Sequence, residues 1–173
     1  MSRTSLSLSL RRAGVAAALG ASLLLTGCGF DAQTLQTYTP AHGVNVDVND
    51  VKVRNLLVIA NNAGQGRLSA SLVSNNRADT LASVTGYSTN QDGTKAADLM
   101  ITGANGIALP ANKLVVLTGD GAPRVSVSGA TLKPGLNVTL RLTFGSGGVQ
   151  ELRVPVLDAQ DPIYRTAAPE LSA

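Results

Sequence analysis

The chain has few of the side chains that usually carry enzymatic or metal chemistry. Its 173 residues include one cysteine, one histidine, two methionines and no tryptophan, and its glutamates are Glu151 and Glu170. A lone cysteine cannot form an internal disulfide, so the folded part must be stable through its core alone. A lone histidine, His42, at the edge of the folded region cannot complete a Ser–His–Asp triad. We expect no enzymatic activity and no bound cofactor.

The single cysteine, Cys28, ends a segment typical of a bacterial lipoprotein signal. Arg3, Arg11 and Arg12 form a basic region, residues 13–25 are uncharged and mostly apolar, and the sequence Leu-Thr-Gly-Cys closes the segment. This pattern is typical of a lipobox, in which the cysteine is acylated and the peptide is cut before it. We expect residues 1–27 to be a removed signal peptide and Cys28 to hold the protein on the outer face of the plasma membrane.

The alternatives for this segment fit less well. A transmembrane helix needs about 20 apolar residues, and a buried core helix does not explain the basic residues at the chain start. Arg11 and Arg12 leave twin-arginine export open beside the general secretory route. Cleavage would leave equal numbers of basic and acidic residues, so the charge gives no reason to expect nucleic-acid binding.

The remaining chain divides into three parts. Residues 28–42 are small and polar and are predicted to be a lipidated tether. Residues 43–157 are predicted to form one domain. Residues 158–173 are predicted to be a C-terminal tail, either disordered or lying on the surface, whose first part Ile163 and Tyr164 could hold in place.

The hydrophobic pattern of the domain has a period of two. Short aliphatic runs alternate with turn sequences such as Asp92-Gly93 and residues 145–148, which we interpret as a hairpin turn. About eight such strands and no amphipathic helix predict an all-β protein, an antiparallel β-sandwich. With few aromatic residues, its core must be aliphatic. Asp92, Asp98 and Asp120 lack the spacing of a compact calcium loop and are better explained as turn residues.

Part of the sequence resembles a known family. The stretch from Ile107-Ala-Leu-Pro-Ala, through Leu132-Lys-Pro-Gly and the strand 136–144, to Val154-Pro-Val is similar to the C-terminal half of the periplasmic copper chaperone family PCu(A)C. The segments 51–58 and 68–73 look more like LpqE-type actinobacterial lipoproteins, divergent relatives with the same lipobox start. This resemblance implies a cupredoxin-like fold over roughly residues 33–157.

The chain departs from the chaperones at the copper site. The family places a His-x-Met pair on the strand before the Lys-Pro-Gly turn, where this chain has Arg124 and Ser126. Copper(I) prefers soft thioether or imidazole ligands, and in the chain left after cleavage only His42 and Met100 offer them beside the acylated Cys28. We expect His42 to be solvated, Met100 to be a core residue, and no metal to bind.

The resulting functional prediction is a non-catalytic, membrane-anchored interaction module. Resemblance to LpqE-type proteins implies envelope partners, among them subunits of the respiratory cytochrome assembly. Contact residues are expected at Arg124 and, in the tail, at Tyr164. The alternatives are a copper chaperone or metal-handling protein of the PCu(A)C type and a module that binds a small molecule or lipid in an apolar cavity.

Overall fold

The computed structural model describes residues 41–172. Almost all of this region is β-structure, followed by two short helical turns. The strands are β1 Val44–Val48, β2 Val51–Ala60, β3 Gln65–Ser74, β4 Asp79–Thr89, β5 Lys95–Asp98, β6 Met100–Thr102, β7 Ile107–Leu109, β8 Leu114–Val116, β9 Ser126–Ser128, β10 Asn137–Phe144 and β11 Val149–Asp158. They precede helix α1, Pro162–Arg165, and a 3₁₀ turn, Pro169–Leu171.

The strands form one continuous hydrogen-bonded path that folds over on itself. Its order is β5-β4-β10-β11-β2-β3-β9-β6, with β1, β7 and β8 paired to β2, β4 and β3. Strand β11 joins the two layers, since its first part pairs with β10 and its end pairs with β2. The two ends of the path, β5 and β6, are separated along the chain only by Leu99. The result is a sandwich that closes almost into a barrel.

The core lies between the layers and is aliphatic. Alternate residues point inward, as in β10, where Val138, Leu140, Leu142 and Phe144 are each at most 2% exposed. Phe144 is the one aromatic residue in this main cluster. Period-two patterning therefore places one face of each long strand in a shared apolar interior.

A bulge at Asn55 in β2 lets the strand bury residues on both of its faces. Asn55 has a φ of 52°, which lies in the left-handed region that asparagine tolerates. Its side chain accepts a hydrogen bond from the Gly43 amide at 2.9 Å. The register against β3 shifts between Arg54 and Leu57, so the inward positions change from odd to even numbers along the strand. Leu57 and Ile59 consequently point to the outer face, yet both are buried.

The predicted all-β sandwich is confirmed, with two differences in detail. The described residues contain eleven strands rather than about eight, because β5, β6 and β7 are only three or four residues long and lack a clear alternating pattern. The β11–β2 pair is parallel, whereas the prediction was of antiparallel strands. The hairpin turn at residues 145–148 is confirmed, since it joins β10 to β11.

None of the helices in residues 41–172 has the length and apolar character needed to span a bilayer.

Candidate functional site

Arg124 and Ser126, which the sequence resemblance places at the chaperone metal strand, lie at the outer face of the sheet β3–β9–β6. Ser126 of β9 pairs with Arg67 of β3 on one side and with Thr102 of β6 on the other. Arg124 comes just before β9, and its side chain is 60% exposed. The strand pairing therefore brings Arg67 next to Ser126, one of the two residues that the resemblance predicts at the metal-pair position.

Residues 159–172 cover part of this outer face. Leu171, Ala168 and Ala159 pack with Leu57 and Ile59 in a second apolar cluster, separate from the main core. The tail predicted from the sequence to be disordered or to lie on the surface is thus folded against the sheet through residue 172. Because β2 has two outward aliphatic side chains there, the segment gains apolar burial by lying on them.

Helix α1 begins this covering segment. Asp161 caps it by accepting a hydrogen bond from the Ile163 amide at 2.9 Å. Tyr164 packs against the second cluster and hydrogen-bonds with the His42 ring. Burial, with the nearby charge of Asp161, raises the pKa of the Tyr164 hydroxyl. Ile163 is 65% exposed, so Tyr164 and not Ile163 contributes to holding the segment.

Glu170 links the covering segment to two arginines. Its Oε1 lies 3.4 Å from Arg67 Nη1 and 3.6 Å from Arg124 Nη1. The Arg67 side chain is only 5% exposed, and its Nη2 donates to the Leu117 carbonyl at 3.4 Å. These are long contacts for a buried charge. Arg67 and Glu170 were not predicted as site residues, although an arginine within an alternating strand and one of only two glutamates were visible signals.

A small polar cavity of about 260 Å³ lies beside these charges. Its walls come from β3, β9 and the 3₁₀ turn, and they include Gln65, Arg124, Ser126, Ser128 and Glu170. A second cavity, of about 370 Å³, lies at the other sheet and is lined by Tyr87, Asp98, Arg141 and Glu151 among others. The second cavity also has apolar walls, among them Val84, Leu99 and Ile101, so the binding of a small molecule or lipid stays an open alternative.

His42 and Met100, which carry the soft donor atoms of the described residues, lie in different surroundings. His42 contacts Tyr164, with ring centroids 5.9 Å apart. Met100 pairs in register with Ser128 at the outer edge of the sheet and is 69% exposed. The prediction that Met100 is a core residue is therefore wrong, because β6 turns Ile101 inward and Met100 outward. Within residues 41–172, no three His, Cys, Asp or Glu side chains come together as a metal group.

Of the three candidate aspartates, Asp92 shows turn chemistry directly. Its carboxylate accepts hydrogen bonds from the amide and the hydroxyl of Thr94, at 2.9 and 2.7 Å. These bonds to the Thr94 side chain and backbone lower the pKa of Asp92. Asp98 forms an ion pair with Lys95 at 2.6 Å. The carboxylates of Asp92 and Asp98 are thus explained by their local neighbours.

Solved structures share this architecture. The copper-bound PCuAC domain from PmoF2 matches with a TM-score of 0.51 and 17% sequence identity, over 66% of this chain and 98% of that domain. The apo PCuAC domain from PmoF1 matches with a TM-score of 0.51 and 18% identity, over 65% of this chain and 98% of that domain. The chain has the PCuAC fold. The cupredoxin-like sandwich implied by the sequence resemblance is thereby confirmed.

The likeness to PCuAC domains is not found by comparison of sequences. No family model matches the chain, and no curated protein matches it closely enough to be related by sequence. At under 20% identity, the likeness is one of fold. The narrower resemblance to LpqE-type lipoproteins stays a prediction.

Proposed function

We propose that this chain is a non-catalytic domain that takes part in copper handling by contacting a protein that holds the metal. The supporting observation is the match to nearly the whole of a copper-bound PCuAC domain. This likeness favours copper handling, the alternative left open by the sequence, over an accessory role in a cytochrome assembly. A shared fold alone does not transfer a function, so the donor set must be considered separately.

Copper would be cargo here, and the donors of the chain fit it poorly. A copper(I) site takes soft sulfur or imidazole ligands, and the described residues offer only His42 and Met100. Arg124 and Ser126 replace the pair expected on the metal strand. A guanidinium beside the position would also repel a cation. These residues support a domain that contacts a copper protein rather than one that carries copper alone.

The proposed contact surface is the outer face around Arg124 and the covering segment. Arg124 is 60% exposed, and arginine is enriched at protein interfaces because its planar group makes several hydrogen bonds. Tyr164 lies on the same covering segment and joins an apolar ring to a polar hydroxyl. A copper-containing oxidase of the respiratory assembly is one partner of the proposed kind.

Affinity capture from detergent-solubilised membranes tests this function. An antibody to the full chain should recover a copper-containing protein, identified by mass spectrometry and by the copper content of the eluate. Arg124→Ala should reduce that recovery, because it removes an exposed contact without opening the core. Arg77→Ala is the matched control, since Arg77 is 61% exposed and pairs with Asp50 elsewhere on the surface. Capture without any copper protein would contradict the proposal.

The anchor is proposed separately. Cys28 lies outside the described residues, and its acylation would place the domain at the outer face of the plasma membrane. Cys28→Ala should move the protein from the membrane fraction to the soluble fraction. Retention of the unprocessed variant in membranes would show instead that residues 13–25 span the bilayer.

A further inference from the structure

We propose that Arg67, Arg124 and Ser126 form a binding site for a small oxyanion, either a free phosphate-like anion or a carboxylate. Two guanidinium groups meet at this point on the outer face of the sheet. Within residues 41–172, the one carboxylate within ion-pair distance of either is Glu170, and a single oxygen, Oε1, faces both. The cluster therefore carries an excess positive charge.

The main structural support for an anion site is the incomplete hydrogen bonding of Arg67. Its side chain is 5% exposed, and its Nε has no hydrogen-bond partner among the described residues. Its two remaining contacts, to Glu170 and to the Leu117 carbonyl, are both 3.4 Å long. A buried arginine has five donors, and burial of a charge is unfavourable unless those donors are well bonded. Arg67 is thus incompletely satisfied by the protein itself.

The adjoining cavity has the size and the lining for a small anion. Its volume of about 260 Å³ lies below the range of pockets that enclose drug-sized ligands, roughly 300–1,000 Å³. Ser126, Ser128, Gln65 and Arg124 belong to its lining, as does Glu170. Arg67 does not line the cavity itself, and it meets the cavity through Glu170, whose Oε1 it shares with Arg124. Hydroxyls, amides and guanidinium groups all donate hydrogen bonds to oxyanions.

Glu170 acts in this site as an internal competitor. It is carried on the 3₁₀ turn, and its side chain is 32% exposed. Its distances to the arginines exceed the 2.7–2.9 Å typical of a strong charge-assisted hydrogen bond. An incoming oxyanion can take the place of Oε1 and bind the guanidinium groups through two oxygens, which a single shared oxygen cannot do.

NMR titration of the full chain in detergent tests the site. The probes are inorganic phosphate in one series and acetate in another, both at constant ionic strength, and the signals followed are the Nε–H groups of Arg67 and Arg124. We expect saturable shifts of both signals. Glu170→Gln should bind the anion about tenfold more tightly, and Arg124→Ala about tenfold more weakly or worse. Arg77→Ala should leave the affinity unchanged.

The titration distinguishes the two classes of anion and can also overturn the site itself. Binding of phosphate alone identifies a tetrahedral oxyanion as the ligand, and binding of acetate alone identifies a carboxylate. Equal affinities of Arg124→Ala and the wild-type chain would overturn the proposal. An equal loss in Arg77→Ala would also overturn it, because the effect would then be general charge screening. Since copper plays no part in the titration, this result is independent of the proposed copper handling.

Discussion

Truncation of Leu171 tests whether the covering segment is part of the folded domain. Leu171 is 7% exposed and packs on Leu57 and Ile59. Leucine-to-alanine changes in cores cost about 2–5 kcal/mol, and a site on the outer face of a sheet belongs to the lower end because solvent and neighbours can fill the gap. We therefore expect Leu171→Ala to lower the opening free energy of the segment by about 2 kcal/mol.

Native-state hydrogen exchange is the appropriate assay. The amide of residue 171 donates to the Ala168 carbonyl at 3.0 Å, and the Ala159 amide donates to Ala60 at 2.9 Å. A loss of about 2 kcal/mol corresponds to a roughly 30-fold drop in protection. The same drop in protection is expected whether the segment opens by itself or unfolds together with the domain.

The control variant is Ile163→Ala in the same segment. Ile163 is 65% exposed, so its truncation should change the opening free energy by less than about 0.5 kcal/mol. Equal effects of the two substitutions, or an effect of Leu171→Ala below about 0.5 kcal/mol, would refute the packing of this segment on the sheet.

Four further predictions concern the stability of the domain. Asn55→Ala should lower the free energy of unfolding, measured by urea titration, by about 2 kcal/mol, because it loses the bond to Gly43 and strains a positive φ. Asn55→Gly loses only the hydrogen bond and should cost about 1 kcal/mol. Gly86→Ala should cost about 1–3 kcal/mol because the new Cβ would lie 2.4 Å from the Thr139 carbonyl oxygen. Gly106→Ala, which meets nothing within 4 Å, should cost about 1 kcal/mol from its backbone conformation alone. Burial of Asp79 raises its pKa, but hydrogen bonds from Ser146 and Thr80 and the charge of Arg77 outweigh it and lower the pKa overall. The stabilisation from Asp79 should therefore be present at neutral pH and lost as the pH falls through that lowered pKa, and Asp79→Asn should show a shallower acid loss of stability.

The long strands were predictable because their residues alternate. Each of β3, β10 and β11 buries mainly one face, so the sequence shows the period directly. The short strands β5 to β7 were not predictable, because neighbouring strands and not their own composition make them pair. Met100 illustrates the same limit, since its neighbours Leu99 and Ile101 are apolar and only the pairing of β6 shows which of the three faces outward.

The candidate site was predictable only in part. The replacement of the metal pair by Arg124 and Ser126 follows from the sequence resemblance. Arg67 and Glu170 are 103 residues apart, and no local pattern connects them. Their contact depends on the bulge at Asn55, which turns Leu57 and Ile59 outward and so provides the surface on which the last residues fold.

A copper(I) competition titration tests the central claim most directly. The full chain carrying Cys28→Ser, which removes its only thiol, is mixed under anaerobic conditions with copper(I) and a coloured chelator, and the copper transferred to the protein is measured. Our account predicts no stoichiometric transfer, and no difference after His42→Ala or Met100→Ala. One copper per chain, lost in either of these variants, would contradict it and show that the domain carries copper itself.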